Sequence, residues 1–157
     1  AKEHQLERVI TIFPWIATID KFQHWVYEHP QHSVEERTSK WLEIYREFSS
    51  EVVDWSGLEE YEKNFWQKQL HLFEVPFYYI EYGIAQLGAI GLWMQFKKNK
   101  DTALDNYMAA LELGGMRTLP QLYQAAKLEF NFSGDYIKRL MAFLEEEMEK
   151  LYATEAV

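Results

Sequence analysis

The chain contains no cysteine, which excludes disulfides and every thiolate metal site, and a reducing, cytoplasmic setting fits that lack. Only 7 Gly and 4 Pro punctuate 157 residues, and period-2 alternation is scarce, so little speaks for strands and hairpins. No run of about 18 apolar residues occurs, which excludes a transmembrane helix. Ala1-Lys2-Glu3-His4 has no basic-then-apolar signal pattern. It also lacks an initiator Met, so the chain is expected to be processed or a piece of something longer. Positive charge is short: 16 Lys and Arg stand against 25 Asp and Glu, a net charge of −9. Such a chain repels phosphate backbones and anionic lipid, so neither nucleic acid nor a membrane is an expected partner. No His is followed by Glu, so the H-E-x-x-H helix that seats a zinc ion and a general base is missing. No glycine-rich phosphate loop is present either.

What is abundant is aromatic: 6 Trp, 10 Tyr and 10 Phe make 17% of the chain. Hydrophobic residues at 48% and charged residues at 26% are ordinary for a globular protein. Apolar residues recur at three- and four-residue spacing from Leu6 through Ile19 to Tyr27, a helical stripe that Pro14 is expected to kink or restart. Ser33-Val34-Glu35-Glu36 reads as a capping box opening a helix to about Phe48. Ser56 and Glu59 suggest a second box, with a helix through Leu70. Phe77 to Phe96 is almost wholly apolar or small, so this helix is expected to be buried on all sides. Asp101 is the expected cap of the next helix, and Gly114-Gly115 its stop. Thr118 to Lys127 and Tyr136 to about Tyr152, the latter capped by Ser133, complete the pattern. The acidic run Glu145, Glu146, Glu147, Glu149 reads as a solvated face. The fold class is therefore all-α, a multi-helix bundle of six to eight helices forming one domain over residues 1–157.

Few residues offer chemistry. His29-x-x-His32 straddles a proline and reads as an exposed turn, and His24 sits in a helical stripe beside Trp25 as a packed residue. The segment from His71 to Gln86 differs. Tyr78 and Tyr82 are four apart, on one helix face with Glu81 beside them, while Tyr79 and Gln86 share a neighbouring stripe. Buried phenols need hydrogen-bond partners. Two readings stay open on these residues: a core helix with internal hydrogen bonds, or a row of donors lining a substrate groove with His71 at its mouth. Phenol and imidazole donors can stabilise an oxyanion.

The run His71 with Pro76-Phe77-Tyr78-Tyr79-Ile80-Glu81-Tyr82-Gly83-Ile84-Ala85-Gln86-Leu87-Gly88-Ala89 resembles the C-terminal part of oligoendopeptidase F-type enzymes, zinc peptidases of the thimet-oligopeptidase family. Ile19 to Glu28, Val53 to Leu58, Ala110 to Gly115 and Leu119 to Tyr123 fit the same likeness, which spans roughly Leu6 to Leu151. The resemblance implies one lobe of a larger, mainly helical zinc peptidase. It implies catalytic roles for His71, Tyr78 and Tyr82, which would bind the substrate backbone and stabilise the tetrahedral intermediate, with Tyr79 also in the substrate-binding set. A further family tyrosine corresponds to Ala85 and is missing here. In the whole enzyme zinc would polarise the scissile carbonyl and activate a water. Its ligands lie upstream in the family, so no residue here is expected to bind metal.

The resemblance thus implies a C-terminal fragment of a zinc-dependent oligopeptidase acting on short peptides, expected to be inactive without the rest of its chain. The alternative is a stand-alone, non-catalytic helical module whose groove holds a peptide or a partner helix. A chain cut from a larger enzyme would expose apolar area and self-associate.

Overall fold

The computed structural model describes the backbone of residues 2–155 and the side chains of residues 3–153. Within them the chain forms eight α-helices and two short 3-10 turns and no strand, the all-α architecture that the periodicity predicts. They are α1 (Lys2–Glu28), α2 (Val34–Phe48), α3 (Glu59–Asn64), α4 (His71–Glu74), α5 (Ile80–Lys98), α6 (Lys100–Glu112), α7 (Leu119–Ala125) and α8 (Gly134–Glu155). The 3-10 turns are Phe65–Lys68 and Gly114–Met116. None of the helices is long and apolar enough to cross a membrane.

The helices fall into two compact units. The first runs from Arg8 to Gly83; the second takes the chain's first seven residues and everything from Ile84 onward. In the first unit Ile19, Phe22, Trp41, Ile44 and Tyr45 form the buried centre. Trp41 is fully buried; it stacks on Tyr45 at 5.3 Å and meets Phe22 edge-on at 5.2 Å. Trp15 meets Trp41 and Phe65 edge-on at 6.1 and 5.5 Å. Edge-to-face pairing places the positive ring edge on the negative ring face, so rings can fill a core at little electrostatic cost. Polar anchors fix it. Trp41 Nε1 donates to the Glu62 carbonyl at 2.8 Å, and the buried Glu62 carboxylate receives a bidentate pair from Arg46 at 3.0 and 2.9 Å.

The second unit is aliphatic at its centre: Leu87, Ile90, Leu140 and Leu144 are buried, with Ala103, Ala126 and Tyr136. Here α5 departs from expectation. Leu87, Ile90 and Gly91 are buried, but Ala85, Ala89 and Phe96 are exposed. An open apolar groove of ≈ 760 Å³ runs beside them, lined by Leu92, Phe96, Leu104, Tyr107 and Leu111. The acidic run of α8 is also not uniformly solvated. Glu147 turns inward to accept from Lys97 at 2.6 Å and Lys150 at 2.8 Å, whereas Glu145, Glu146 and Glu149 are exposed.

Several helix ends differ from expectation for local reasons. Helix α1 continues through Pro14 without restarting, and Thr18 Oγ1 donates back to the Pro14 carbonyl at 2.8 Å. The Ser33–Glu36 box forms in both directions, Glu36 N to Ser33 Oγ and Ser33 N to Glu36 Oε2. The Ser56–Glu59 box does not: Leu58 is the N-cap, Ser56 N donates to Asp54, and the Glu59 carboxylate accepts from Gly57 N. The expected single helix through Leu70 is instead α3 and a 3-10 turn, and α4 opens separately at His71. Asn99, not Asp101, caps α6, through Thr102 N at 3.0 Å.

Candidate functional site

His71 opens the four-residue helix α4, and Tyr82 stands in the first turn of α5. Between them lies a short reversal, Val75 to Tyr79. Val75 N closes α4 onto the His71 carbonyl, and Tyr78 N donates to the Val75 carbonyl at 3.1 Å. Phe77 takes φ of 60°, a left-handed conformation that costs an aromatic residue about 1–2 kcal/mol. Three contacts hold it there. Phe77 N donates to the buried Gln23 side-chain oxygen at 2.9 Å, and its ring lies 4.9 Å from both His24 and Tyr27. Among the described residues, the buried Gln23 Nε2 has no partner. This kink turns the chain back, so that Tyr78 and Tyr79 precede α5 and return over His71.

Four rings gather as a result. His71 lies parallel to Tyr78 at 6.1 Å and edge-on to Tyr79 and Tyr82 at 5.0 and 5.6 Å. Tyr82 meets Tyr78 at 5.9 Å and Tyr79 at 5.2 Å. His71 Nε2 is 3.2 Å from the Tyr82 hydroxyl, and His71 Nδ1 is 2.6 Å from Gln69 Nε2. Tyr78 and Tyr82 are 49% and 40% exposed, so their rings remain reachable from solvent. Tyr79 is more enclosed: burial pushes its hydroxyl above the ordinary phenol range, opposed by the Trp15 indole N–H and aided by Tyr82.

The arrangement brings together all four residues that the sequence singles out, although only Tyr82 lies within α5. Glu81 is exposed, and Gln86 belongs to the second unit. The sequence reading misses Trp15 and Gln69. Trp15 Nε1 donates to Gln69 Oε1 at 2.9 Å, tying the ring cluster to the aromatic core. The available signal was an indole N–H in a core stripe, which needs an acceptor, and an amide two residues before His71.

Other histidines stand apart from this cluster. His29 stacks on Trp25 at 4.8 Å, and His24 Nε2 lies 3.5 Å from Asp20. Among the described residues no three His, Cys, Asp or Glu side chains gather as a metal ion needs. Both ring nitrogens of His71 already face partners. The residues present therefore do not fit zinc. What they can do is present phenol hydrogens to a developing negative charge.

Comparison with known proteins extends this reading. The model of peptidase family M3 matches residues 1–142. Among solved structures, the chain is similar to an oligoendopeptidase F, with 30% identity and a TM-score of 0.80 over 94% of the chain. It is also similar to PZ peptidase A with an inhibitor, at 28% identity and a TM-score of 0.86 over 95% of the chain. The chain spans 26% of the length of each. No curated protein matches it.

Proposed function

The chain belongs to peptidase family M3, and from that premise we propose that it is part of a zinc-dependent oligopeptidase that hydrolyses short peptides. In this reading His71, Tyr78, Tyr79 and Tyr82 form one wall of the peptide site, and the zinc belongs to the remainder of the peptidase. The carrying observation is the exposed ring cluster, with His71 Nε2 3.2 Å from the Tyr82 hydroxyl. Tyr82 donates to the oxyanion of the tetrahedral intermediate, His71 orients that phenol, and Tyr78 and Tyr79 flank the peptide backbone. The chain alone hydrolyses nothing, and the complete enzyme works in the cytoplasm.

In the complete peptidase, Tyr82→Phe removes one donor and keeps the ring. It should lower kcat by about 10²-fold, the usual effect of losing one oxyanion donor, with a much smaller rise in KM. An unchanged kcat overturns the role.

A further inference from the structure

We propose that Trp15 and Gln69 are positioning residues that fix the tautomer of His71 and so turn the Tyr82 hydroxyl hydrogen outward. The part that concerns substrate rests on the oxyanion reading above; the tautomer itself rests on hydrogen-bond chemistry alone.

The row of hydrogen bonds begins at a group with one possible polarity. An indole N–H only donates. Trp15 Nε1 lies 2.9 Å from one end of the Gln69 amide, so that end is the oxygen. The other end is then the NH₂ group, and it lies 2.6 Å from His71 Nδ1. An NH₂ group only donates, so Nδ1 accepts and carries no hydrogen. A neutral imidazole must then carry its hydrogen on Nε2. That nitrogen is 3.2 Å from the Tyr82 hydroxyl and donates to its oxygen. Tyr82 accepts inside the cluster, which leaves its own hydrogen for a group outside it.

Each link has a reason to hold. The Trp15 ring is packed edge-on against Trp41 and Phe65, so its N–H is aimed by the core. The His71 ring lies parallel to Tyr78 and edge-on to Tyr79, and its two nitrogens face different partners, Gln69 and Tyr82. Reversing the amide would reverse the whole row. Nδ1 would donate to the amide oxygen, Nε2 would accept from Tyr82, and the phenol hydrogen would be consumed within the cluster. One indole in the core thus sets the polarity of a phenol at the surface. All four residues lie in the Arg8–Gly83 unit.

The test is direct observation of the ring. In the protein's complete chain, with histidine alone carrying ¹⁵N, His71 is assigned by the peaks lost in His71→Gln. At a pH where the ring is neutral, His71 should show an unprotonated Nδ1 and a protonated Nε2. The opposite pattern in the wild-type protein overturns the proposal, with no variant required to fold. Gln69→Glu keeps the shape, but its carboxylate can only accept, so the hydrogen should move to Nδ1. An unchanged pattern there, in a variant with a native backbone amide spectrum, also overturns it. Trp15→Phe should leave the amide free to turn and populate both tautomers. Activity separates the two ideas. If kcat falls at least tenfold in Gln69→Glu, and adding Tyr82→Phe costs little more, the relay acts through Tyr82. If the tautomer flips but neither variant changes kcat, the relay stands and the oxyanion reading falls.

Discussion

The Arg8–Gly83 unit and the unit beyond it bury their helices with different side chains. The first holds Trp15, Trp25, Trp41, Trp55 and Trp66, five of the six tryptophans, whereas all five methionines lie between Met94 and Met148. Rings fill the first interior; Leu87, Ile90, Leu140 and Leu144 fill the second. The difference goes beyond packing. A tryptophan has an apolar body and one N–H at its edge, so a core made of such rings can deliver donors at its boundary. Trp41 reaches the Glu62 carbonyl, and Trp15 reaches Gln69 beside the ring cluster. An aliphatic core has no such edge. The second unit is pinned instead by Lys97 and Lys150 on Glu147, and by Gln95 Nε2 donating to the Ala126 and Lys127 carbonyls. The candidate site adjoins the core that can hold polar groups in fixed orientations.

The largest effect should come from breaking the aromatic core. Trp41→Ala leaves a cavity at a fully buried ring and strands the Glu62 carbonyl, a cost of about 3–5 kcal/mol. Chemical denaturation followed by tryptophan fluorescence measures it. Leu140→Ala, in the other core, should also destabilise but leave the His71–Tyr82 cluster spectroscopically unchanged. If Leu140→Ala disturbs the His71 ring signals as much as Trp41→Ala does, the special link between aromatic core and site is wrong.

A smaller contrast separates two glycines of α5. A Cβ on Gly88 would sit 2.7 Å from the Tyr123 hydroxyl, which is held by donating to the Ile84 carbonyl. Gly88→Ala should therefore cost about 1–3 kcal/mol. A Cβ on Gly83 meets Ile16 no closer than 3.4 Å, so Gly83→Ala should be neutral or stabilising by up to about 1 kcal/mol through helix propensity. Thermal melts of the pair decide it. Equal melting temperatures would show that Tyr123 moves aside freely.

The smallest effect concerns acid. Burial pushes the Glu147 carboxyl up, but hydrogen bonds from Lys150 and Lys97 outweigh it and hold it below the ordinary Glu range. A carboxyl depressed on folding adds stability that is present above the unfolded pKa and is lost as pH falls through the folded one. Asp20, in the first unit, has the opposite sign: burial raises it, with His24 opposing, so its charge disfavours folding as pH rises through the raised value. Glu147→Gln should flatten the acid limb of the stability profile, and Asp20→Asn should steepen it. Urea titrations across the carboxylate range test both, and parallel acid limbs in the two variants would contradict the opposed signs.

Much of this was legible in the residues. Helical spacing and the Ser33–Glu36 box are local, and they read correctly because capping depends on groups three residues apart. The site residues were legible by resemblance, through the His71 to Tyr82 segment. Three expectations failed for tertiary reasons. Tyr78 was expected on the face of a helix, but the Gln23 hold on Phe77 delays α5 until Ile80. Glu147 was expected in solvent, but Lys97 from another helix draws it in. The almost wholly apolar stretch from Phe77 to Phe96 is expected to be buried all round, yet one side of α5 faces an open groove.

By itself the sequence determined the all-α class, the Ser33–Glu36 cap and the aromatic wealth of the first interior. These depend on periodicity, composition and short-range hydrogen bonds, which a linear chain already contains. Only the tertiary structure decided that Trp15 stands 54 residues from Gln69 in sequence yet within hydrogen-bond reach. It also decided which nitrogen of His71 faces the phenol. Hydrogen-bond polarity is a property of pairs, and pairing at that separation exists only once the core has folded.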